Sequence, residues 1–258
     1  MQASILPASR GPRWLIEGFA IFQRKPTSLS FLTLGYWLIM AVVSAIPLAG
    51  QLAGFLLIPV FSVSMMNACR LIDRKEELPP RLLFSGFHRN LQTLLALGLI
   101  YVLIILLLVG LSMSFDGGAS PIPPVPEGAP AGEMSAQLPM SISPLVVFLL
   151  IPLNLIFHFA PILAAWHDMS AGKSLFFSLV ACLRNWRPFL MFLLTLLAVA
   201  FVGVLAIFFI GGLFSGDDES ARWLPTMTVV TMSLIFLPIW YASFYVGYRD
   251  IFVSLQDA

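Results

Sequence analysis

The sequence predicts an all-α fold, a polytopic membrane helix bundle. Two observations predict it first. The chain of 258 residues is 59% hydrophobic and only 10% charged, with a mean hydropathy of +0.93. Soluble domains carry about 25% charged residues. Second, six runs contain no Lys, Arg, Asp or Glu: Pro26–Pro47, Leu48–Cys69, Asn90–Ser114, Ser143–Trp166, Pro188–Phe214 and Trp223–Tyr248. A bilayer-spanning helix needs roughly 20 mostly apolar residues, so each run is long enough to cross once.

A third observation orients the bundle. If each run crosses once, every one of the 14 Lys and Arg residues except Arg222 falls on one face. The other face holds Arg222 with the acidic Asp116, Glu127, Glu133, Asp217, Asp218 and Glu219. Basic residues mark the cytoplasmic side, so both termini are expected in the cytoplasm. Arg24 and Lys25 precede an apolar run ending Val43-Ser44-Ala45, but the charged region before it is too long and too aromatic for a signal peptide, and no cleavage is expected.

The elements follow in order. From Arg13 to Arg24, the polar or small Arg13, Glu17, Ala20 and Arg24 recur at helical spacing opposite Leu15, Ile16, Phe19 and Phe22. That pattern, with Trp14 at its start, suits an amphipathic helix in the headgroup layer. The plan returns between Arg81 and Gln92, where Arg81, Ser85, His88 and Gln92 oppose Leu82, Leu83, Phe84 and Phe87. It returns again between Lys173 and Asn185, where Ser174, Ser178, Ala181 and Asn185 oppose Leu175, Phe176, Leu179 and Leu183. Each segment ends in a basic knot before a span. The chain therefore reads as a single membrane domain over 1–258, built from three pseudo-repeat units at about 13–73, 81–168 and 173–250. Each unit is a cytoplasmic interfacial helix followed by a transmembrane hairpin. The outer turns differ: a tight Pro47-Leu48-Ala49-Gly50, a flexible Pro/Gly-rich loop over 115–142, and a short acidic Ser215–Ala221.

Pro59 and Pro238 stand at matching distances before Arg70 and Arg249, and Pro152 and Pro161 occupy the corresponding span of the middle unit. A proline inside a helix frees a carbonyl and kinks the axis. In lipid that carbonyl needs a neighbour. Kinked spans either pack or enclose a cavity, and the polar residues that would line such a groove are Asn67, Asn154, His158, Tyr241 and Tyr245.

The chemistry is sparse. No run holds a carboxylate, lysine or arginine, which proton- and ion-coupled pumps bury. No metalloprotease motif, Gly-rich phosphate loop or cysteine pair at metal spacing occurs, so no catalytic residues, cofactor or metal are expected, and no enzyme. Cys69 and Cys182 read as small apolar residues. His158, with Asn154 one turn before it, reads as an interhelical hydrogen-bonding pair and not as a ligand. His167 and Asp168 are adjacent and do not face each other. Trp166, Trp186 and Trp223 read as interface anchors. The most charged stretch supplies Arg70, Arg74, Lys75 and Arg81, which with Arg89 form either a solvated loop or a cytoplasmic docking surface for a partner or anionic headgroups.

Several stretches carry a resemblance: Arg10-Gly11 with Trp14 and Gly18-Phe19; Ile46-Pro47 with Gly50; Pro59-Val60-Phe61 with Met66 and Ala68-Cys69-Arg70; and Leu97-Gly98-Leu99-Ile100-Tyr101. Through them the chain resembles an uncharacterised proteobacterial family of six-span integral inner-membrane proteins, and is distantly similar to the YciC-like proteins. The resemblance is densest over residues 10–110. It implies a bacterial inner membrane and carries no activity. The expected partners are membrane lipids, with a membrane-protein partner or a second copy left open, and no nucleic acid. Two functions stay in view. The first is a non-enzymatic scaffold, assembly or lipid-environment factor. The alternative is a transporter or lipid-handling protein for a neutral or amphipathic substrate. Convergence or scatter of the five groove residues discriminates between them.

Overall fold

The computed structural model describes residues 4–47, 49–115, 144–213 and 220–252. The 115–142 loop beyond Phe115, Leu48 of the first outer turn and most of Ser215–Ala221 lie outside the described residues. The described residues form helices: α1 (Arg10–Arg24), α2 (Pro26–Ser44), α3 (Ala49–Asp73), a 3₁₀ helix (Leu82–His88), α4 (Leu91–Phe115), α5 (Pro144–His158), α6 (Ala160–His167), α7 (Ala171–Arg184), α8 (Trp186–Leu213) and α9 (Ser220–Phe252). Among the described residues, five segments are long and apolar enough to cross a membrane: Pro26–Ser44, Ala49–Asp73, Leu91–Leu111, Leu149–His167 and Trp186–Ala206. The sixth run of the sequence falls within α9, part of which lies outside the described side chains.

The three short elements are not laid out along the surface. α1 packs on α9 and α8, the 3₁₀ helix on α3, and α7 on α5 and α6. Each therefore rests on a long helix belonging to a different block of sequence. Gly18 makes the first of these contacts: a Cβ there would stand 2.5 Å from the Ser243 backbone nitrogen of α9. Gly86 makes the second, with a Cβ position 2.1 Å from the Val60 carbonyl oxygen of α3. Absent side chains at these positions let backbones touch, the usual device for close helix contact in lipid.

This packing corrects the expected faces. α1 buries Gly11, Trp14, Gly18, Ile21 and Phe22, while Ile16 and Phe19 are exposed. Trp14 is 2% exposed and is a core residue, not a headgroup anchor. In α7 the small polar stripe Ser174, Ser178, Ala181 and Asn185 is fully buried, while Phe176 and Leu183 face outward. In a bilayer both surroundings of a helix are apolar, so large aliphatic groups serve the lipid and small ones the protein interface. The helix expected over 81–92 is instead a 3₁₀ helix ending at His88. Its three-residue period aligns Leu83 and Gly86 on one buried face.

The break between α5 and α6 has a visible cause. Pro161, the second residue of α6, has no N–H to return to the Phe157 carbonyl, so the ladder is already interrupted here. At Phe159 the Ser178 hydroxyl of α7 enters the ladder: it accepts from the Phe159 N–H at 2.9 Å and donates to the Leu155 carbonyl at 3.1 Å. Those two backbone groups are the pair an unbroken helix would join directly. Pro238 likewise cannot bond to the Leu234 carbonyl, which accepts from Ser30 of α2 at 3.2 Å. Ser178→Ala removes a bridge between two buried backbone groups and is expected to cost about 1–3 kcal/mol. The thermal midpoint of the detergent-solubilised protein measures it, and an unchanged midpoint would show that the ladder recloses unaided.

Candidate functional site

A cavity of about 310 Å³ opens among four elements. α3 supplies Phe55, Ile58, Pro59 and Ser62; α4 supplies Tyr101. The α5–α6 segment supplies Asn154, Phe157, His158 and Pro161, and α9 supplies Trp240, Tyr241 and Phe244. Pro59 and Pro161 both stand in its wall. Small-ligand sites are mostly apolar concavities of roughly 300–1,000 Å³ with a few placed polar groups, and this one meets that description at its lower bound.

The polar groups come from different helices. Asn154 Nδ2 donates to its own helix at the Leu150 carbonyl, 2.8 Å away, which leaves the side-chain oxygen as an acceptor. The His158 ring is boxed by Phe159, Phe189 and Phe244, with centroids at 4.7, 5.1 and 4.3 Å. Among the described residues no side-chain hydrogen bond forms at His158. The pairing of Asn154 with His158 expected from their spacing is therefore absent, because Asn154 turns back to its own backbone. Among the described residues, no charged side chain lines the cavity.

The five groove residues divide. Asn154, His158 and Tyr241 share the cavity. Asn67 does not: its Nδ2 donates to Ser85 Oγ at 2.9 Å and its Oδ1 accepts from Trp166 Nε1 at 2.8 Å. Tyr245 also lies elsewhere, its hydroxyl donating to Asp73 Oδ2 at 3.1 Å. Trp166 thus holds α6 to α3 as well as marking a helix end.

Asp73 belongs to a charge network at the basic end of the bundle. Arg249 of α9 meets Asp73 at 3.0 Å and Glu17 of α1 at 2.6 Å. Arg10 meets Glu17 at 3.1 Å and also pairs with Asp250, whose Oδ2 accepts from Trp14 Nε1 at 3.0 Å. Arg24 reaches Asp73 at 3.4 Å. Burial pulls the Arg249 pKa down, but its hydrogen bond to Asp73 and the charges of Asp73, Asp250 and Glu17 outweigh that and raise it. Residue spacing hid this network, because Arg10 and Asp250 lie at opposite ends of the chain.

Of the docking residues, Arg74, Lys75, Arg81 and Arg89 are exposed. Arg70 is half-buried, with its guanidinium 4.8 Å from the centroid of the Trp166 ring. His167 pairs through Nε2 with the Tyr248 hydroxyl at 2.6 Å. Among the described residues, no three His, Cys, Asp or Glu side chains gather as a metal site. Cys69 and Cys182 are both buried and unpaired.

Asp73→Asn takes one charge from the network while keeping its shape. About 1–2 kcal/mol is expected, less than a fully buried pair because Arg249 is partly solvated. Hydrogen exchange should rise in the amides of α1 more than in those of α4, which lies outside the network.

A probable inner membrane protein of Burkholderia thailandensis is 32% identical over 266 residues, covering 98% of this chain and 94% of that protein. No protein-family model matches the chain, and no solved structure matches it.

Proposed function

The chain belongs to the family of this probable inner membrane protein of Burkholderia thailandensis, and from that premise we propose a ligand-holding role for it within the bilayer. It is a multi-pass inner membrane protein. The proposed ligand is neutral or amphipathic, of lipid-like or small hydrophobic character, and the protein binds or passes it without catalysing a reaction. One observation carries this reading: Asn154, His158 and Tyr241 converge on a cavity of about 310 Å³ that, among the described residues, no charged side chain lines. An acceptor on Asn154, an imidazole and a phenol would orient a carbonyl or hydroxyl, and the aromatic wall would hold the apolar remainder.

The scaffold reading keeps one observation of its own. α8 exposes Leu193, Leu197, Phe201, Val202 and Phe209 along an apolar surface that contacts little of the bundle. Lipid covers such a surface as well as a partner does, whereas the cavity supports ligand binding.

The reading includes six spans, with α9 as the sixth, in three hairpins with both termini cytoplasmic. Lys75→Cys at an exposed site should react with an impermeant thiol reagent only after the cytoplasmic face is opened, and Ala129→Cys should react in intact cells. Cys69 and Cys182 should stay silent throughout, because both are buried. Labelling of the two engineered sites from the same side would overturn the topology.

Native mass spectrometry of protein extracted gently from its own membrane tests the ligand. A neutral lipid or small molecule should be retained at fixed stoichiometry. An Asn154→Leu/His158→Leu variant should retain it roughly tenfold less, the loss of one to two net hydrogen bonds. Equal retention by the variant, or only bulk lipid on the native protein, removes the cavity from the account.

A further inference from the structure

The arginines at the basic end are of two kinds. Arg10, Arg24 and Arg249 each meet a carboxylate. Arg70 and Arg74 do not: among the described residues, no carboxylate lies within ion-pair distance of either. Arg70 is nevertheless half-buried, held over the Trp166 ring. A partly desolvated guanidinium without a counter-anion is costly, and its face toward Trp166 recovers only part of that cost.

The two arginines share a recess of about 350 Å³, distinct from the cavity above. Its wall is Asn67, Arg70, Leu71 and Arg74 of α3 with Leu82 and Ser85 of the 3₁₀ helix. The polar part of this wall is preorganised. Asn67 is locked at both ends, by Trp166 and by Ser85. Ser85 accepts from Asn67, so its own O–H remains to donate. The recess therefore offers one fixed guanidinium, one exposed guanidinium and one hydroxyl donor, with two leucines beside them.

We propose that this recess binds the phosphate of an anionic lipid headgroup. Guanidinium pairs match phosphate oxygens with short, charge-assisted bonds. A lipid fits better than a free phosphate for two reasons. Arg70 is the first charged residue after the apolar run of α3, which sets the recess at headgroup depth. Leu71 and Leu82 supply apolar surface that the glycerol and upper acyl carbons would cover and that a free ion would leave bare.

The test uses the full chain in phosphatidylcholine nanodiscs doped with phosphatidylglycerol, with bound lipid counted by native mass spectrometry. Phosphatidylglycerol should be retained at fixed stoichiometry over phosphatidylcholine. Arg74→Gln should weaken that retention roughly tenfold, and Arg70→Gln/Arg74→Gln should abolish the selectivity. Lys173→Gln/Arg184→Gln, which removes two exposed charges from α7, should leave it intact. Arg74 is exposed, so its single variant keeps the test valid if the Arg70 change unfolds the protein. Equal loss in the α7 variant would overturn the proposal in favour of diffuse surface charge. Complete displacement of the lipid by inorganic phosphate at matched concentration would overturn it in favour of a free-ion site. The Asn154→Leu/His158→Leu variant should bind phosphatidylglycerol normally, so failure of the cavity reading and failure of this one are separable.

Discussion

Three carboxylates at the basic end, Glu17, Asp73 and Asp250, hold α1 to the ends of α3 and α9, and the closure of the bundle depends on them. Arg249 bridges Asp73 and Glu17, and Arg10 bridges Glu17 and Asp250. No pair in this chain of contacts is isolated, so each charge that leaves water finds more than one partner. Trp14 adds a neutral donor to Asp250 and carries its ring against Phe189 and Phe192 of α8. The network thus ties the first helix to the last two. Without it α1 would have one buried stripe and no reason to sit on α9 rather than on the membrane surface. Its contact there is close only because Gly18 leaves space for Ser243.

Closure at one end leaves the apolar part of the bundle with a different problem. Prolines in α3, α6 and α9 remove N–H donors where no water is available. Serine hydroxyls from neighbouring helices answer in two places: Ser178 at Leu155 and Phe159, and Ser30 at Leu234. A serine satisfies a backbone group only if its helix comes close, so the kinks and the close packing of α7 and α2 require each other. The cavity lies beside these kinks. Pro59 of α3 and Pro161 after the α5–α6 break stand in its wall, and α9 supplies Trp240, Tyr241 and Phe244 just after Pro238.

Much of this was legible in the sequence. Charge-free runs marked the five described segments long and apolar enough to cross a membrane, and Pro161 marked the break between α5 and α6. Asn154, His158 and Tyr241 were readable as candidates because a polar residue in an apolar run is conspicuous. The directions of the short helices were not readable. An amphipathic pattern says that two faces differ, and in a bilayer it does not say which face meets protein. Ser174, Ser178 and Asn185 look like a wet stripe and are an interface. Asn67 and Tyr245 were grouped with the cavity because sequence gives depth along a helix but not rotation around the bundle. Asp73 looked like one charge in a charged loop, since its partners stand on the first and last helices.

Rotation also separates the cavity from the recess. On α3, Phe55, Ile58, Pro59 and Ser62 face the cavity, while Asn67, Arg70, Leu71 and Arg74 face the recess. At about 100° per residue, the two sets centre roughly a third of a turn apart around the helix. A single extended ligand cannot run straight from one to the other along α3. The route is further interrupted by Trp166, which hydrogen-bonds Asn67 and lies under Arg70. α6 begins at the cavity with Pro161 and reaches Trp166 within a turn and a half. A ligand that shifted α6 in the cavity would therefore move the ring on which Arg70 rests. The cavity and the recess lie on different faces of α3 and are joined through one short helix in how they are held.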